Sequence, residues 1–288
     1  MDSFRKLKGK VASRLFRYLK LFEVGEFFGF HIVPDHFYYP IPSTRDLEDT
    51  IFERKSECVG LDWNLPVQIN YLDTIFPKYA QEVEFKQNPG LSLVDAAVLH
   101  AMVRHHKPKK MIEIGSGSST RIAAEACLLN KKEDQPCRLI AVEPFPDRQL
   151  DEGFPGLTEL KKQKVESVGT KEFVDCDLLF IDSSHMAMIG SDVLYEQLEI
   201  LPRLKPGCLI HFHDILLPGE YWKDWVKDHH LFWTEQYLLW AFLLFNNSFE
   251  VIWASRFMHL RDSTAIQEVF PYFKPDEHRI TSFWIKRK

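Results

Sequence analysis

The segment Met111-Ile-Glu-Ile-Gly115-Ser-Gly117-Ser-Ser-Thr120 decides the fold. Residues 111–114 read as a short buried strand, a Gly/Ser turn follows, and a helix is expected from Ser119 to about Leu129. Glycines between a strand and a helix let the backbone bend sharply and come within contact distance of a ligand. By itself this G-x-G is a weak signal, because a tight turn with no ligand has the same composition.

Downstream, the pattern repeats. Leu139-Ile-Ala-Val142 reads as the next strand with Glu143 at its end, Lys164 to Val168 as a third, and Asp177 to Ile181 as a fourth. A helix from Asp192 to Leu201 leads through Pro206-Gly207 into a strand from Cys208 to Phe212. Beyond it come a helix from Glu235 to Phe245, a strand from Phe249 to Trp253 and a last strand from Thr281 to Ile285. Residues 256–280 show little period of their own. Strands alternating with helices at this spacing predict an α/β, Rossmann-like, doubly wound and mostly parallel sheet of seven strands.

Upstream, the reading changes. Ser92 to Arg104 is expected to be helical, and residues 67–85 are helix-compatible. In His31-Ile-Val-Pro-Asp-His-Phe-Tyr-Tyr-Pro-Ile-Pro-Ser-Thr44, three prolines in nine positions preclude a regular helix and fix an extended, aromatic-rich loop. Such a loop must cover something, either core or the mouth of a site. The expected division is therefore a helical and loop cap over residues 1–107 and the sheet domain over 108–288.

Composition narrows the functional classes. With 288 residues and 45% hydrophobic content, the chain can bury a sizeable core. A net charge of −5 argues against nucleic acid as the main partner, since phosphate binding needs a basic field. The cysteines Cys58, Cys127, Cys137, Cys176 and Cys208 are odd in number and form no C-x-x-C pair, so neither a disulfide framework nor a zinc site is suggested. No segment is apolar over the length of a membrane span and no secretory signal is visible, so a globular protein of the cytoplasm is expected. The first twenty residues carry Arg5, Lys6, Lys8, Lys10, Arg14, Arg17 and Lys20, with Phe4, Leu7, Val11, Leu15, Tyr18 and Phe22 at helical spacing. That amphipathic helix has two readings: docking on the protein's own core or a second subunit of a homo-oligomer, or association with a membrane surface.

Two features sharpen the glycine turn. Glu143 ends the following strand, where a carboxylate can accept from both hydroxyls of a ribose. The turn also lacks the third glycine of the dinucleotide fingerprint and carries Glu113 two positions before the first glycine. Together with Asp177-Leu-Leu-Phe-Ile-Asp182 and Leu204-Lys-Pro-Gly-Cys-Leu-Ile-His-Phe-His-Asp214, these residues resemble class I S-adenosylmethionine-dependent methyltransferases over roughly residues 108–286. The segment His36-Phe-Tyr-Tyr-Pro-Ile-Pro42 is similar to one found in a bacterial branch of that superfamily. The resemblance implies a cofactor-binding run of Glu113, Gly115, Ser116, Gly117, Ser118 and Ser119 at the methionine end. It further implies Glu143 on the ribose, Val165 to Ser167 with Glu166 beside the adenine, and Asp182 at the reacting end.

Asp182 and Asp214 stand at the C-terminal ends of the fourth and fifth expected strands, where an open parallel sheet holds its ligands. Their order and separation are similar to those of two metal-ligand aspartates in catechol-type O-methyltransferases. Where that pattern has an asparagine after the second aspartate, this chain has Ile215, which coordinates nothing. His213 is the available substitute, giving Asp182, His213 and Asp214 as a metal set, although imidazole favours zinc or iron over magnesium. The other reading is that the aspartates simply hydrogen-bond cofactor and substrate. His185, three residues past Asp182, falls where such enzymes carry a lysine base, and its ordinary pKa suits it to take a proton. His185, Asp182 and Asp214 are thus the catalytic candidates. Tyr38, Tyr39, His213 and Glu235 are candidates for the acceptor pocket, with a plain helix start at Thr234-Glu235 as the competing account of the last. The expected function is methyl transfer from S-adenosylmethionine, with or without a divalent metal, to an oxygen or nitrogen of a small-molecule or natural-product acceptor. A nicotinamide-dependent oxidoreductase and a non-catalytic binding scaffold are the alternatives on the same fold.

Overall fold

The computed structural model of the chain describes residues 19–35, 38–82 and 90–288. The amphipathic pattern of the first twenty-two residues therefore lies mostly outside the described residues. The chain forms two compact units, residues 1–54 with 220–232, and residues 55–219 with 233–288. In the first unit a short helix, Leu21–Phe27, precedes an irregular stretch. A 3-10 turn, Asp49–Glu53, meets the helix Lys223–Lys227 through Asp49, whose carboxylate takes Lys223 Nζ and Lys227 Nζ at 2.7 Å each. Hydrogen bonds from those two lysines hold the Asp49 carboxyl down at about 2.

The second unit is built on seven strands: β1 (Lys110–Ile114), β2 (Arg138–Val142), β3 (Leu157–Lys161), β4 (Leu178–Ile181), β5 (Leu209–Phe212), β6 (Phe249–Ala254) and β7 (Phe283–Arg287). Their order across the sheet is β3-β2-β1-β4-β5-β7-β6. The first five are parallel, and β7 inserts antiparallel to both β5 and β6. β1 and β4 are neighbours although β2 and β3 lie between them in sequence, so the chain reverses its winding there. That reversal opens a crevice above the strand C-termini.

Burial follows from this layout. Central parallel strands are covered on both faces, so they read as continuous apolar runs rather than alternating ones. Met111, Leu139, Phe180 and Trp284 enter one core, which also holds Val98, Met102 and Ala123 of the helices α1 (Leu93–His106) and α2 (Ser118–Lys132). Ile112, Ile140, Leu179 and Ile210 point to the opposite face and enter the other. Ser92 caps α1, its Oγ accepting from the Asp95 N–H at 3.0 Å.

Three segments differ from the expectations of the sequence. The third strand is Leu157–Lys161, pairing with β2 through Ile140 and Glu159, and not Lys164 to Val168. Residues Val165–Ser167 instead form a 3-10 turn closed by Ser167 N–H to Lys164 O at 3.0 Å, at the edge of the crevice. The segment 256–280 contains two short helices, Ser255–Arg261 and Ser263–Val269, the second capped by Asp262 on the Ala265 N–H. The helix expected over 192–201 is α3 (Asp192–Tyr195), continued by a wide turn, Glu196–Ile200, and a 3-10 turn, Leu201–Arg203, around Pro202. A proline has no N–H to continue an α-helical ladder, which accounts for the change of winding. Among the described residues no helix is long and apolar enough to cross a membrane.

Candidate active site

The glycine turn is shaped by its neighbour across the sheet. Gly115 has φ +75, and a Cβ built there would fall 1.7 Å from the Asp182 carbonyl oxygen. Only glycine lets the end of β1 lie that close to the end of β4. Gly117 differs, because a Cβ at that position meets nothing within 4 Å. Its N–H donates to Thr120 Oγ1 at 3.0 Å, which sets the start of α2. Ser116 N–H donates to Glu143 Oε2 at 3.2 Å and Phe145 N–H to Glu143 Oε1 at 2.7 Å, so the carboxylate at the end of β2 is held against the turn.

Glu113 does not face the crevice as an open ligand. It is fully buried, with Ser119 Oγ donating to its Oε1 at 2.5 Å and its Oε2 without a partner among the described residues. Burial pushes its carboxyl up to about 8, against the hydrogen bonds of Ser119 and Thr120. Two connected hollows lie above the strands. One of about 200 Å³ is lined by Gly90, Leu91, residues 115–119, Glu143 and Asp182. The other, about 360 Å³, runs past Glu143, Phe145, Val165, Glu166, Asp182 and Ser191. Both share Gly115, Glu143 and Asp182, which makes them halves of one crevice. A third depression at the opposite end of the strands, about 520 Å³, is lined by Lys110, Lys205, Asp175 and Asp177 among others. Within it Lys110 is paired with Asp175 and Lys205 with Asp177.

His185 follows β4 and lies beside Asp182. Its φ of +59 is uncommon for a residue with a Cβ. The surroundings fix it there: the His185 carbonyl accepts from Thr234 N–H at 2.9 Å and Glu235 N–H at 3.1 Å, at the start of α4 (Glu235–Leu243). Thr234 Oγ1 in turn accepts from Ala187 N–H at 2.8 Å, and Asp192 holds Ser184 by its N–H and hydroxyl at 2.9 and 2.5 Å. The imidazole is buried, with Nδ1 2.8 Å from Glu235 Oε2 and its ring tilted on Trp233 at 4.4 Å. Nε2 then stands between Asp182 Oδ1 at 3.4 Å and Asp214 Oδ2 at 3.6 Å. Burial alone would lower the imidazole pKa, but contact with Asp182 and Glu235 and the charge of Asp214 hold it well above its ordinary value. Asp182 shows the counterpart: burial pushes its carboxyl up, and the charges of His213 and His185 bring it below the usual value.

The structure therefore gathers Asp182, His185, Asp214 and Glu235 at one point. All four are candidates from the sequence, but the tie of Glu235 to His185 is not legible there, since the two are fifty residues apart. His213 is buried, with Nε2 3.5 Å from Asp214 Oδ1 and Nδ1 unpartnered among the described residues. His211 lies deeper, stacked on Phe180 at 3.9 Å with Nε2 3.1 Å from Ser282 Oγ. Tyr38 and Tyr39 belong to the first compact unit, and Tyr38 is exposed. Glu196 was missed: it is fully buried beneath Ser183, whose Oγ donates to it at 3.0 Å, and burial raises its carboxyl well above the ordinary range. The signal was available, because Glu196 falls three residues after Val193 and four before Ile200, on the apolar face of its helix.

The donor set does not fit the metal that the paired aspartates suggest. A hard divalent cation takes oxygen donors on most of its positions. Here an imidazole nitrogen stands between the two carboxylates, and the next position past Asp214 is buried Ile215. Among the described residues no three His, Cys, Asp or Glu side chains are arranged to hold a metal ion.

Residues 112–215 match the family described as a methyltransferase domain. Thirty per cent of positions are identical over 171 residues to an uncharacterized protein of Archaeoglobus fulgidus, covering 52% of this chain and 74% of that protein. Among solved structures, the chain is similar to the methyltransferase PaMTH1 of Podospora anserina bound to S-adenosylhomocysteine. That likeness has a TM-score of 0.45 and 16% identity, over 83% of this chain and 92% of that one. The O-methyltransferase TomG of Streptomyces achromogenes, in complex with S-adenosylmethionine, gives a TM-score of 0.40 and 16% identity over 66% and 88%. With its matched domain lying on the glycine turn and the strand-end carboxylates, the chain belongs to the class I S-adenosylmethionine-dependent methyltransferases.

Proposed function

We propose that this enzyme methylates an oxygen or nitrogen of a small-molecule acceptor, with His185 Nε2 taking the acceptor's proton. The observation that carries this reading is the Nδ1 contact of His185 with Glu235 at 2.8 Å, which turns Nε2 toward Asp182 and Asp214 at the strand ends. A proton held on Nδ1 by a buried carboxylate leaves Nε2 as the basic nitrogen. S-Adenosylmethionine supplies an electrophilic methyl on a sulfonium. In this reading Gly115 to Ser119 would hold its methionine end, Glu143 its ribose, and Val165 and Glu166 its adenine. The acceptor's lone pair forms the new bond to the methyl carbon as the carbon–sulfur bond breaks, and the acceptor proton passes to His185. Alignment and desolvation then supply most of the acceleration.

The test is a screen of phenolic, catecholic and amine acceptors for S-adenosylhomocysteine release, followed by His185→Ala. Turnover should fall about 100- to 10,000-fold while S-adenosylhomocysteine still binds and chelators change nothing. Loss of activity with a chelator, restored by one divalent ion, would instead give the two aspartates to a metal.

A further inference from the structure

We infer that Asp95 and Thr281 are positioning residues that aim Asp214 at His185. Asp95 lies on the first turn of α1 and is buried. Its carboxylate accepts four hydrogen bonds: Ser92 Oγ and Thr281 N–H on Oδ2, each at 2.8 Å, with Ser255 Oγ at 2.9 Å and Ser282 N–H at 3.1 Å on Oδ1. Four is the full capacity of a carboxylate and beyond that of any other side chain of its size. Capping α1 engages Asp95 only through Ser92, which leaves the bonds from Thr281, Ser282 and Ser255 to another purpose.

That purpose is visible one step on. Two of the four donors are consecutive backbone N–H groups, Thr281 and Ser282, just before β7. Fixing them fixes the Thr281 side chain, whose Oγ1 donates to Asp214 Oδ1 at 3.1 Å. The Thr281 carbonyl also takes the Ile215 N–H at 3.1 Å, so both the backbone after Asp214 and its carboxylate are tied to the same residue. Asp214 needs such ties because its φ is +52, a conformation that little else favours for a residue with a Cβ. With Oδ1 occupied by Thr281 and faced by His213 Nε2, the remaining oxygen, Oδ2, is the one left toward His185 Nε2. All four of these groups belong to the second compact unit.

The inference rests on His185 lying at the reacting centre, but its test needs neither acceptor nor turnover, so it stands apart from the base assignment. Full-length protein labelled with 15N-histidine gives ring-nitrogen resonances, assigned with His185→Gln and His213→Gln. Thr281→Val removes the hydroxyl at nearly constant shape, and should move the His185 and His213 ring signals beyond their line widths. Thr281→Ser, which keeps the hydroxyl, should leave them at the wild-type positions. Asp95→Asn, whose amide turns a donor toward donors, should reproduce the Thr281→Val shifts where it folds. S-Adenosylhomocysteine affinity, measured by calorimetry, should stay within twofold for the threonine variants. A folded Thr281→Val protein whose His185 and His213 signals superpose on the wild type overturns the inference, as does a Thr281→Ser protein that moves them equally.

Discussion

Nδ1 of His185 lies 2.8 Å from Oε2 of Glu235, and both side chains are buried. The pair joins the loop after β4 to the first residue of α4, so the orientation of the imidazole depends on a residue outside the matched methyltransferase domain. Glu235→Gln keeps the shape but gives Nδ1 a neutral partner that no longer fixes the tautomer. Turnover should fall about 100-fold or more, by the measure of a lost acid–base contribution. Steady-state kinetics at saturating S-adenosylmethionine would read it, and a Glu235→Gln enzyme within twofold of wild type would separate Glu235 from the chemistry.

The two glycines of the turn should fail in different ways. Gly115→Ala drives a methyl into the Asp182 carbonyl at 1.7 Å and forces a Cβ at φ +75. Strain of that kind costs about 1–3 kcal/mol before the clash is counted, so the melting temperature should drop and cofactor binding should go with it. Gly117→Ala meets nothing within 4 Å and has an extended φ, so its fold should be kept to within about 1–2 kcal/mol. Calorimetry with S-adenosylhomocysteine should nevertheless show weaker binding, because the added methyl projects into the crevice. Equal melting temperatures for the two variants would contradict this division of labour.

The pH dependence follows from the carboxylates around His185. They hold its proton to a pH well above 6.5, and only the neutral ring can take a proton from the acceptor. kcat/KM should therefore rise with pH through a midpoint above 6.5 and level off at alkaline pH, and a profile falling from pH 6 to 9 would oppose the base role. Stability runs the other way. A histidine whose folded pKa exceeds its unfolded value gives a contribution fully present below the unfolded pKa and lost as pH rises through the folded one. Glu113, raised by burial from 4.5 to about 8, acts in the same sense, its contribution being full below 4.5 and lost through about 8. The melting temperature should thus decline across the interval in which activity climbs, and Glu113→Gln should flatten the part of that decline below about 8.

Much of this was legible beforehand because strand ends in a parallel sheet are marked by their own residues. Gly115, Glu143, Asp182 and Asp214 each close an apolar run, and their positions place them at one rim without knowledge of the packing. β3 was misplaced for a corresponding reason. Leu157-Thr-Glu-Leu-Lys161 is an edge strand with only partial burial, so its apolar signal is no stronger than that of Lys164 to Val168. The tie between His185 and Glu235, and the set of bonds on Asp95, join residues 50 and up to 187 positions apart. No local period carries such contacts. They follow from where α1, α4 and β7 dock, which the sequence pattern of each element does not contain.

Glu143 offers a direct check on how the cofactor is held. Its carboxylate already takes Ser116 N–H and Phe145 N–H, leaving further lone pairs for two ribose hydroxyls. Glu143→Ala should weaken S-adenosylhomocysteine binding by about 1.5–3 kcal/mol, the usual range for hydrogen bonds to a charged group. Isothermal calorimetry on the two proteins would measure it, and unchanged affinity would remove Glu143 from the ribose.

Under the proposed function, one crevice binds the cofactor and presents its methyl group to His185. A crystal structure of the full chain with S-adenosylhomocysteine tests it in a single measurement. The ribose hydroxyls should lie on Glu143, the adenine along Val165 and Glu166, and the sulfur at the end of the crevice marked by Asp182, on the side facing His185 Nε2. Density for the ligand elsewhere on the protein, or with its sulfur turned away from Asp182 and His185, would contradict it.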